Sequence, residues 1–545
     1  MLADGTGRNI WILLRDKTDA EGQRIAWENL GTGRDDAELD LPLNASYIER
    51  LQDLGVVVRS SSRWLNAISG RVSPEIERRV LEQDFVLGVQ SVRRTRRPKI
   101  PQSPSARPVK NWKGLQSQYG PAFDQMAQTG IIPLHSLGFT GAGVRIAVLD
   151  NGFHYTEHPA FRKKLRLIAE RDFINGDNVV SDQSGQPVTG DETRSSQNLH
   201  GAQVLSLLAG YESDRFVIGV APDAEYILAK TEENRTELPT EEDRWIAGLE
   251  WADSLGARVV NSSLGYNIWD DGSGYAPGDL DGETALTSRA AALAVRRGMV
   301  VVVAVGNEAL DSWHYVTAPA DAEGVIAVGS VDVPPPDGMR LPQIAATSSR
   351  GPTADGRIKP DVVAPGEGVV MADLRSGGYL RSSGTSFAAP MVSGICALLL
   401  QAHPEWGPDE VLQALRSTAL DLGEAGPDTV YGWGQVNALA ASGLEIFQPG
   451  EHALLSPFPN PAQGGVVHFP VRLAERDLIE LSIFDLTGNR IFVETWPFLV
   501  GDHTKPGRTP SWMPGDDVAN GIYYYLMRSS SFIRSGKVAL LRRAP

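Results

Sequence analysis

A serine, a histidine, an aspartate and an asparagine, each among small or apolar neighbours, are the side chains of this 545-residue chain best suited to covalent chemistry. Ser386 lies in Gly384-Thr385-Ser386-Phe387-Ala388-Ala389-Pro390. The run behind it (Met391, Val392, Ser393, Gly394, Ile395, Ala397, Leu398) predicts a buried helix. A serine in the first turn of such a helix meets unpaired N–H groups and the positive dipole end, which suits a nucleophile whose attack creates an oxyanion. Pro390 is tolerated because the first turn has no intrahelical use for its N–H. Asp150 ends the apolar run Val144-Arg145-Ile146-Ala147-Val148-Leu149, and a carboxylate at such a tip needs a partner. His200-Gly201-Ala202 opens another small, apolar helix. In the order Asp…His…Ser, the histidine can take the serine's proton while the aspartate fixes its tautomer and stabilises the imidazolium. Asn307, after Val305-Gly306, offers a side-chain N–H to the oxyanion. Taken singly, these residues also read as a helix cap, a turn former, a helix-end histidine and a turn amide. Their flanks, taken together, favour the chemistry.

The elements that must position them lie between about residues 111 and 441, where continuous apolar strands alternate with helices. That is the pattern of a parallel sheet covered on both faces. Strands are expected at 144–149, 226–229, 259–262, 300–305 and 325–328, and helices at 201–209, 245–255, 285–297, 386–401 and 408–419. The implied class is α/β, a doubly wound, mostly parallel sheet, whose ligands bind outside the carboxyl ends of the strands. Asp150, the segment Ser263, Leu264 and Gly265, and Asn307 stand at or just past such ends.

Residues 1–100 read as β-α-β-β-α-β, with strands at 9–14, 56–59, 64–72 and 86–92. The helices start behind Asn44 and at Ser73-Pro74, the order of a small α+β ferredoxin-like domain. The basic run Arg93-Arg94-Thr95-Arg96-Arg97-Pro98-Lys99 and the Pro/Ser-rich stretch after it mark a boundary, with a linker at 101–111. Beyond Gly443 the turn-rich Pro457-Phe458-Pro459-Asn460-Pro461 leads into strand-like runs at 466–469, 479–484, 490–493, 521–527 and 535–541, split by turns such as Thr487-Gly488-Asn489. They predict a small all-β sandwich. The expected domains are therefore 1–100, 112–445 and 446–545.

A composition of 42% hydrophobic and 22% charged residues supplies cores for several domains. A formal charge of -16 argues against nucleic acid as a partner. Read by apolar run length, no stretch reaches the ~18 residues of a bilayer span, so no membrane span is expected. The single Cys396 excludes an intrachain disulfide and reads as a small buried hydrophobe. Met1-Leu2-Ala3-Asp4-Gly5 shows no basic segment followed by an apolar one, so no secretory leader is recognisable there.

On these residues the chain resembles the subtilisin-like (subtilase, S8-type) serine endopeptidases. The matching blocks are Ile146-Ala147-Val148-Leu149-Asp150-Asn151-Gly152, His200-Gly201-Ala202-Gln203-Val204, Asn261-Ser262-Ser263-Leu264-Gly265, the valine run ending Ala304-Val305-Gly306-Asn307-Glu308, and Gly384 to Pro390. The resemblance spans roughly 112–442. It implies peptide-bond hydrolysis through an acyl-enzyme, with Asp150, His200 and Ser386 as the triad and Asn307 as the oxyanion donor. It also implies that Ser263, Leu264 and Gly265 form the edge pairing with substrate backbone. Ala304, Val305 and Gly306 would wall the pocket for the residue before the scissile bond. Polypeptides are the implied substrates and no cofactor is required. Two positions depart from the family pattern: Asn151 stands where Thr is usual, and Ala202-Gln203 replaces Thr-His. Both adjoin the acid and the base, so they bear on turnover rate more than on reaction type.

By element order and position, residues 1–100 resemble the family's inhibitory propeptide, which implies the N-terminal domain as an intramolecular inhibitor. The C-terminal domain is similar to the sorting domain of bacterial type IX secretion substrates. The similarity rests on Pro459-Asn460-Pro461, Ile483-Phe484-Asp485-Leu486-Thr487-Gly488 and Asn520-Gly521-Ile522-Tyr523-Tyr524-Tyr525. It implies that secretion machinery as a partner and a secreted or cell-surface location.

Three rival readings are weighed against this one. His154-Tyr155-Thr156-Glu157-His158 fits a zinc-peptidase pattern, which needs a helix to bring both histidines to one face. Pro159 directly behind it disfavours that helix. The acidic loop from Asp270-Asp271-Gly272-Ser273-Gly274 to Asp279-Leu280-Asp281-Gly282 would suit a structural calcium ion, but it lacks EF-hand spacing and reads more simply as a solvated loop. The non-enzymatic alternative is an inactive subtilase fold serving as an exported binding or adhesion module, against which the retention of all four chemical residues weighs.

Overall fold

The computed structural model describes residues 7–18, 24–26, 39–92, 107–108, 119–181, 199–212, 216–217, 219–233, 238, 240–268, 274–334, 340–444, 453–454, 457, 460, 462, 465–473, 477–486, 489–498, 501–503, 509–515, 517–529 and 533–541. The basic run at 93–99, all of the 101–111 linker but Arg107 and Pro108, residues 270–273 of the acidic loop, and Phe458, Pro459, Pro461, Thr487 and Gly488 lie outside the described residues. The chain divides into two compact units, Met1–Gly443 and Leu444–Pro545.

The first unit opens with β1 (Arg8–Leu14), α1 (Ala45–Asp53), β2 (Val57–Ser62), β3 (Ala67–Val72), α2 (Pro74–Leu81) and β4 (Val86–Val92), the β-α-β-β-α-β order expected, with an unexpected short hairpin of Asp16–Thr18 and Arg24–Ala26 inserted after β1. The strands form an antiparallel sheet in the order β2-β3-β1-β4. Both helices start at the expected caps: the Asn44 side chain accepts from the Ser46 N–H, and that of Ser73 from the Ile76 N–H. Alternation along β1 sends Ile10 and Ile12 into this domain's own core with Val80 and Phe85. Trp11, from the opposite face, joins Trp64 and packs with Trp245 and Leu249 of the following domain.

That domain is built on β5 (Arg145–Asp150), β6 (Arg166–Asp172), α3 (Leu199–Ala209), β7 (Glu225–Lys230), α4 (Thr240–Ser254), β8 (Val259–Ser262), α5 (Leu286–Arg296), β9 (Val300–Ala304), β10 (Ile326–Asp332) and β11 (Val362–Glu367). The seven strands are all parallel, in the order β11-β10-β9-β8-β5-β7-β6. Five were expected; the two additions are the edge strands. β6 carries exposed residues along its length, and β11 contains Pro365-Gly366, so neither reads as a continuous apolar run. From β5 the chain builds outward to β6 and β7 on one side, then to β8 through β11 on the other. The carboxyl ends of β5 and β8 therefore flank the point where strand order reverses, the usual ligand crevice of an open α/β sheet.

The hairpin β12 (Val369–Asp373) and β13 (Gly378–Ser382) leads directly into α6 (Thr385–Ala402), with α7 (Pro408–Ser417) behind it. Arg107–Pro108 adds a short antiparallel strand to β13, pairing Pro108 with Leu380 and Arg107 with Arg381. By length and composition α6 could cross a bilayer, which the reading by apolar run length passed over. It is instead mostly buried, packed on β8 to β11 and on α3.

The second unit is all-β, as expected. β14 (Asp477–Phe484), β15 (Arg490–Phe498), β16 (Gly521–Arg528) and β17 (Ile533–Leu540) form an antiparallel sheet in the order β15-β14-β16-β17. Ile479, Leu481, Ile483, Tyr525 and Met527 face a core that Val467, Phe469, Val471, Leu473 and Trp512 complete from shorter strands, a sandwich arrangement.

Candidate active site

Asp150 is the last residue of β5 and fully buried. Its Oδ1 accepts the Asn151 N–H at 2.8 Å and the His200 Nδ1–H at 2.7 Å. Its Oδ2 is buried without a hydrogen-bond partner among the described residues. His200 is the second residue of α3, and Gly201 explains how that helix comes so close. A Cβ at Gly201 would lie 2.3 Å from the Gly152 carbonyl oxygen and 3.0 Å from Asp150 Cβ. Asn151, the departure noted next to the aspartate, is part of this join: its Oδ1 accepts the Gly201 N–H at 3.1 Å, tying the end of β5 to the start of α3. Burial alone would lower the His200 pKa. The Asp150 carboxylate and its hydrogen bond outweigh burial, so the imidazole sits above its ordinary value. The His200 ring lies 5.6 Å, centroid to centroid, from Phe387, the residue after Ser386.

Ser386 is in the first turn of α6, as expected. Its hydroxyl donates to the Ser263 carbonyl at 3.1 Å, and no hydrogen bond joins it to His200 among the described residues. Asn307 follows β9 at the mouth of the crevice and is exposed. Its Oδ1 accepts the Thr385 N–H at 2.9 Å. That contact fixes the amide orientation and leaves Nδ2 as the free end. Gly306, just before it, has φ 105° and is closely surrounded. A Cβ there would meet Glu308 Oε2 at 2.2 Å and Thr317 Cγ2 at 3.1 Å. The Glu308 carboxyl accepts the Ser349 hydroxyl at 2.9 Å, and burial raises its pKa despite that bond.

The two segments expected as walls follow neighbouring parallel strands, β8 and β9. Ser263, Leu264 and Gly265 continue from β8, while Ala304 ends β9 and leads to Val305 and Gly306. What sequence reasoning missed is the segment between them. The Thr317 N–H donates to the Val305 carbonyl at 3.1 Å, and Ala318 exchanges backbone hydrogen bonds with Tyr266. The Thr317 side chain is 1% exposed, and a Cβ on Gly265 would fall 2.1 Å from its Oγ1. Sequence reasoning also gave no role to Asn261 and Ser393, whose side chains are joined by a 2.9 Å hydrogen bond. The available signals were a polar Asn-Ser-Ser run ending an apolar strand and a second serine seven residues after Ser386.

The rival histidine pair does not share a helix. His158 instead caps the single turn Pro159–Phe161, its Nδ1 accepting from Ala160 at 3.2 Å and its Nε2 donating to the Gly378 carbonyl at 2.8 Å. In the acidic loop, Asp279 and Asp281 cap nearby backbone N–H groups. Among the described residues no group of three His, Cys, Asp or Glu side chains is arranged to hold a metal ion.

Two family models match the sequence. One, described as the subtilase family of S8 peptidases, spans residues 141–434 and includes every residue of the site above. The other, described as the peptidase S8 propeptide domain of Bacteroidota, spans residues 33–106. Among curated proteins, subtilisin BL of Lederbergia lenta is 30% identical over 311 residues, which is 56% of this chain and 94% of that protein. Subtilisin E of Bacillus subtilis (strain 168) is 31% identical over 312 residues, 57% of this chain and 68% of that protein. Subtilisin NAT of Bacillus subtilis subsp. natto is 33% identical over 312 residues, with the same two shares.

Proposed function

Because this chain belongs to the subtilase family of S8 peptidases and is a serine endopeptidase with a propeptide domain, we propose that Ser386, His200, Asp150 and Asn307 carry its catalysis. The observation that supports this most directly is the 2.7 Å bond from His200 Nδ1 to Asp150 Oδ1. A carboxylate only accepts, so Nδ1 carries the proton and Nε2 keeps the lone pair needed for a base. The Ser386 hydroxyl turns from the Ser263 carbonyl to Nε2 and gives up its proton, and Oγ attacks the scissile carbonyl carbon. The resulting oxyanion takes hydrogen bonds from Asn307 Nδ2 and from the Ser386 N–H at the start of α6. The imidazolium, stabilised by Asp150, then protonates the leaving amine. Water repeats the sequence on the acyl-enzyme.

Covalent labelling tests the assignment. An organofluorophosphonate is expected to modify the processed enzyme at one site, with labelling abolished in Ser386→Ala and in no other Ser→Ala variant. Labelling at another serine, or none, as an inactive exported module would give, would overturn it.

The domain roles belong to the same proposal. Residues 1–100 act as an intramolecular inhibitor that the enzyme cuts from itself between about residues 90 and 106. The propeptide match ending at residue 106 supports this, as does the pairing of Arg107–Pro108 with the strand that leads into Ser386. The C-terminal β unit serves as a sorting module read by type IX secretion machinery, which makes the enzyme secreted or surface-bound. Deleting residues from about 450 onward is expected to leave a folded, active peptidase, because the core of the first unit is complete before them.

A further inference from the structure

Ser263 is joined to Ser386 twice. Its hydroxyl donates to the Ser386 carbonyl at 2.7 Å, and its carbonyl accepts the Ser386 hydroxyl at 3.1 Å. The Ser263 hydroxyl is held in turn. Asn261 Nδ2 donates to it at 3.1 Å, while Asn261 Oδ1 accepts the Ser393 hydroxyl at 2.9 Å. Asn261 and Ser393 are 0% exposed and Ser263 is 4% exposed, so solvent does not compete for these bonds. Ser386 and Ser393 are seven residues apart, two turns along one face of α6. The four residues thus make a closed brace, leaving α6 at Ser393, passing through the end of β8, and returning at Ser386.

The direction of every bond in the brace follows from its far end. The Ser386 carbonyl can only accept, so the Ser263 hydrogen is committed to it and Ser263 Oγ must accept from Asn261 Nδ2. That sets Oδ1 toward Ser393, whose hydroxyl donates to it. We propose that Asn261 and Ser393 are positioning residues for the nucleophile, acting through Ser263. The inference rests on Ser386 being the nucleophile. The brace pins the main chain of Ser386 and leaves its hydroxyl resting on an acceptor that can be displaced. That acceptor, the Ser263 carbonyl, belongs to the edge assigned to substrate backbone. A substrate N–H that takes it over releases the hydroxyl toward His200, so binding and activation of the serine occur together.

Ser393→Ala removes the first donor of the brace and Ser393→Thr keeps it. In Ser393→Ala, kcat and the rate of modification by a small fluorophosphonate are each expected to fall about threefold to tenfold, the orienting effect of one buried hydrogen bond. KM and the titre of labelled sites should be unchanged, and Ser393→Thr should recover the rate. In a Ser263→Ala background, Ser393→Ala should cost nothing further, because the brace is already open at the link through which it acts. If the alanine variant does not fold, Ser393→Cys, of similar volume but with a weaker donor, carries the same comparison. A wild-type labelling rate in Ser393→Ala, or losses that add in full in the double variant, would overturn the proposal. Failure of wild-type enzyme to label at Ser386 would instead refute the nucleophile assignment, and it is seen before any variant is compared.

Discussion

Asp243 of α4 is held 3.2 Å from Arg59 of β2, an ion pair that joins the enzyme to its own N-terminal domain. Ser69 of β3 donates its hydroxyl to the same carboxylate. One turn pair further along α4, Glu250 accepts the Ser62 hydroxyl and the N–H groups of Arg63 and Trp64. The N-terminal domain therefore covers two carboxylates that water would otherwise solvate.

This burial makes release of the domain depend on pH. Burial pushes the Asp243 pKa up to about 6, against the pull of Arg59, Ser69 and Arg244, and Glu250 is also raised by burial. Arg71 of β3 is the remaining cation near Arg59 on the domain's side. Once the domain leaves, Asp243 returns toward the ordinary carboxyl value of about 3.9. A group raised in the complex stabilises it fully below the free value, and that contribution is lost as pH rises through the bound value. The cleaved domain should be held most tightly below about pH 4 and loosen as pH rises through about 6, about a hundredfold over the whole window, with little further change due to Asp243 above about pH 7. Chromatography of the cleaved enzyme across this range would show the N-terminal fragment co-eluting in acid and separating near neutrality. Asp243→Asn should flatten much of the dependence. Tighter retention at neutral pH would refute it.

Asn307→Ala is expected to lower kcat by about 10²–10³ with KM nearly unchanged, the size of effect known for the corresponding donor in subtilisin. The reason lies in the 2.9 Å bond from Thr385 N–H, which commits Oδ1 and leaves Nδ2 to a charge that exists only in the transition state. A loss seen mainly as a raised KM would mean that the amide positions bound substrate instead.

The positions of the proposed site residues, which depend on where an element ends, were legible in the sequence. Asp150, His200, Asn307 and Ser386 each stand at a strand tip or helix start that an apolar run predicts. What escaped is what depends on contacts between distant segments. Asn261 and Ser393 lie 132 positions apart and read as incidental polar residues until the fold brings them to 2.9 Å. The resting bond of Ser386 to Ser263, in place of one to His200, is a rotamer choice that no pattern encodes. Edge strands escaped for another reason: β6 is covered by neighbours on too few sides to need a continuous apolar run.

Thr317 predicts a narrow pocket. It fills the space between Gly265 and Gly306, the two glycine edges of the proposed walls, and is itself 1% exposed. The enzyme should therefore prefer small residues before the scissile bond, and Thr317→Gly should open the floor to larger ones. The expected change is a rise of about tenfold or more in kcat/KM for aromatic over alanyl peptides, in line with a few methylene groups' worth of pocket discrimination. Peptide series differing only at that residue would measure it. An unchanged ranking would show that another side chain closes the pocket.

The pairing of Pro108 with Leu380 and of Arg107 with Arg381 leads to the prediction about maturation. β13 runs toward Ser386, five residues beyond Arg381, and in an antiparallel pair the partner chain runs the other way. Arg107 is thus the end of the added strand nearer to Ser386, and the bond that is cut should lie on its N-terminal side. Since the segment is tethered at both ends, the reaction is intramolecular and its rate independent of enzyme concentration. Wild-type protein expressed alone should accumulate as two fragments, with the new N-terminus mapped by mass between about residues 90 and 106. Ser386→Ala should stay at full length under the same conditions, and dilution over a wide range should leave the wild-type cleavage half-time unchanged. Cleavage of both proteins, or of neither, would mean that the first domain is not removed by this site, and a half-time that lengthens on dilution would show that one molecule cuts another.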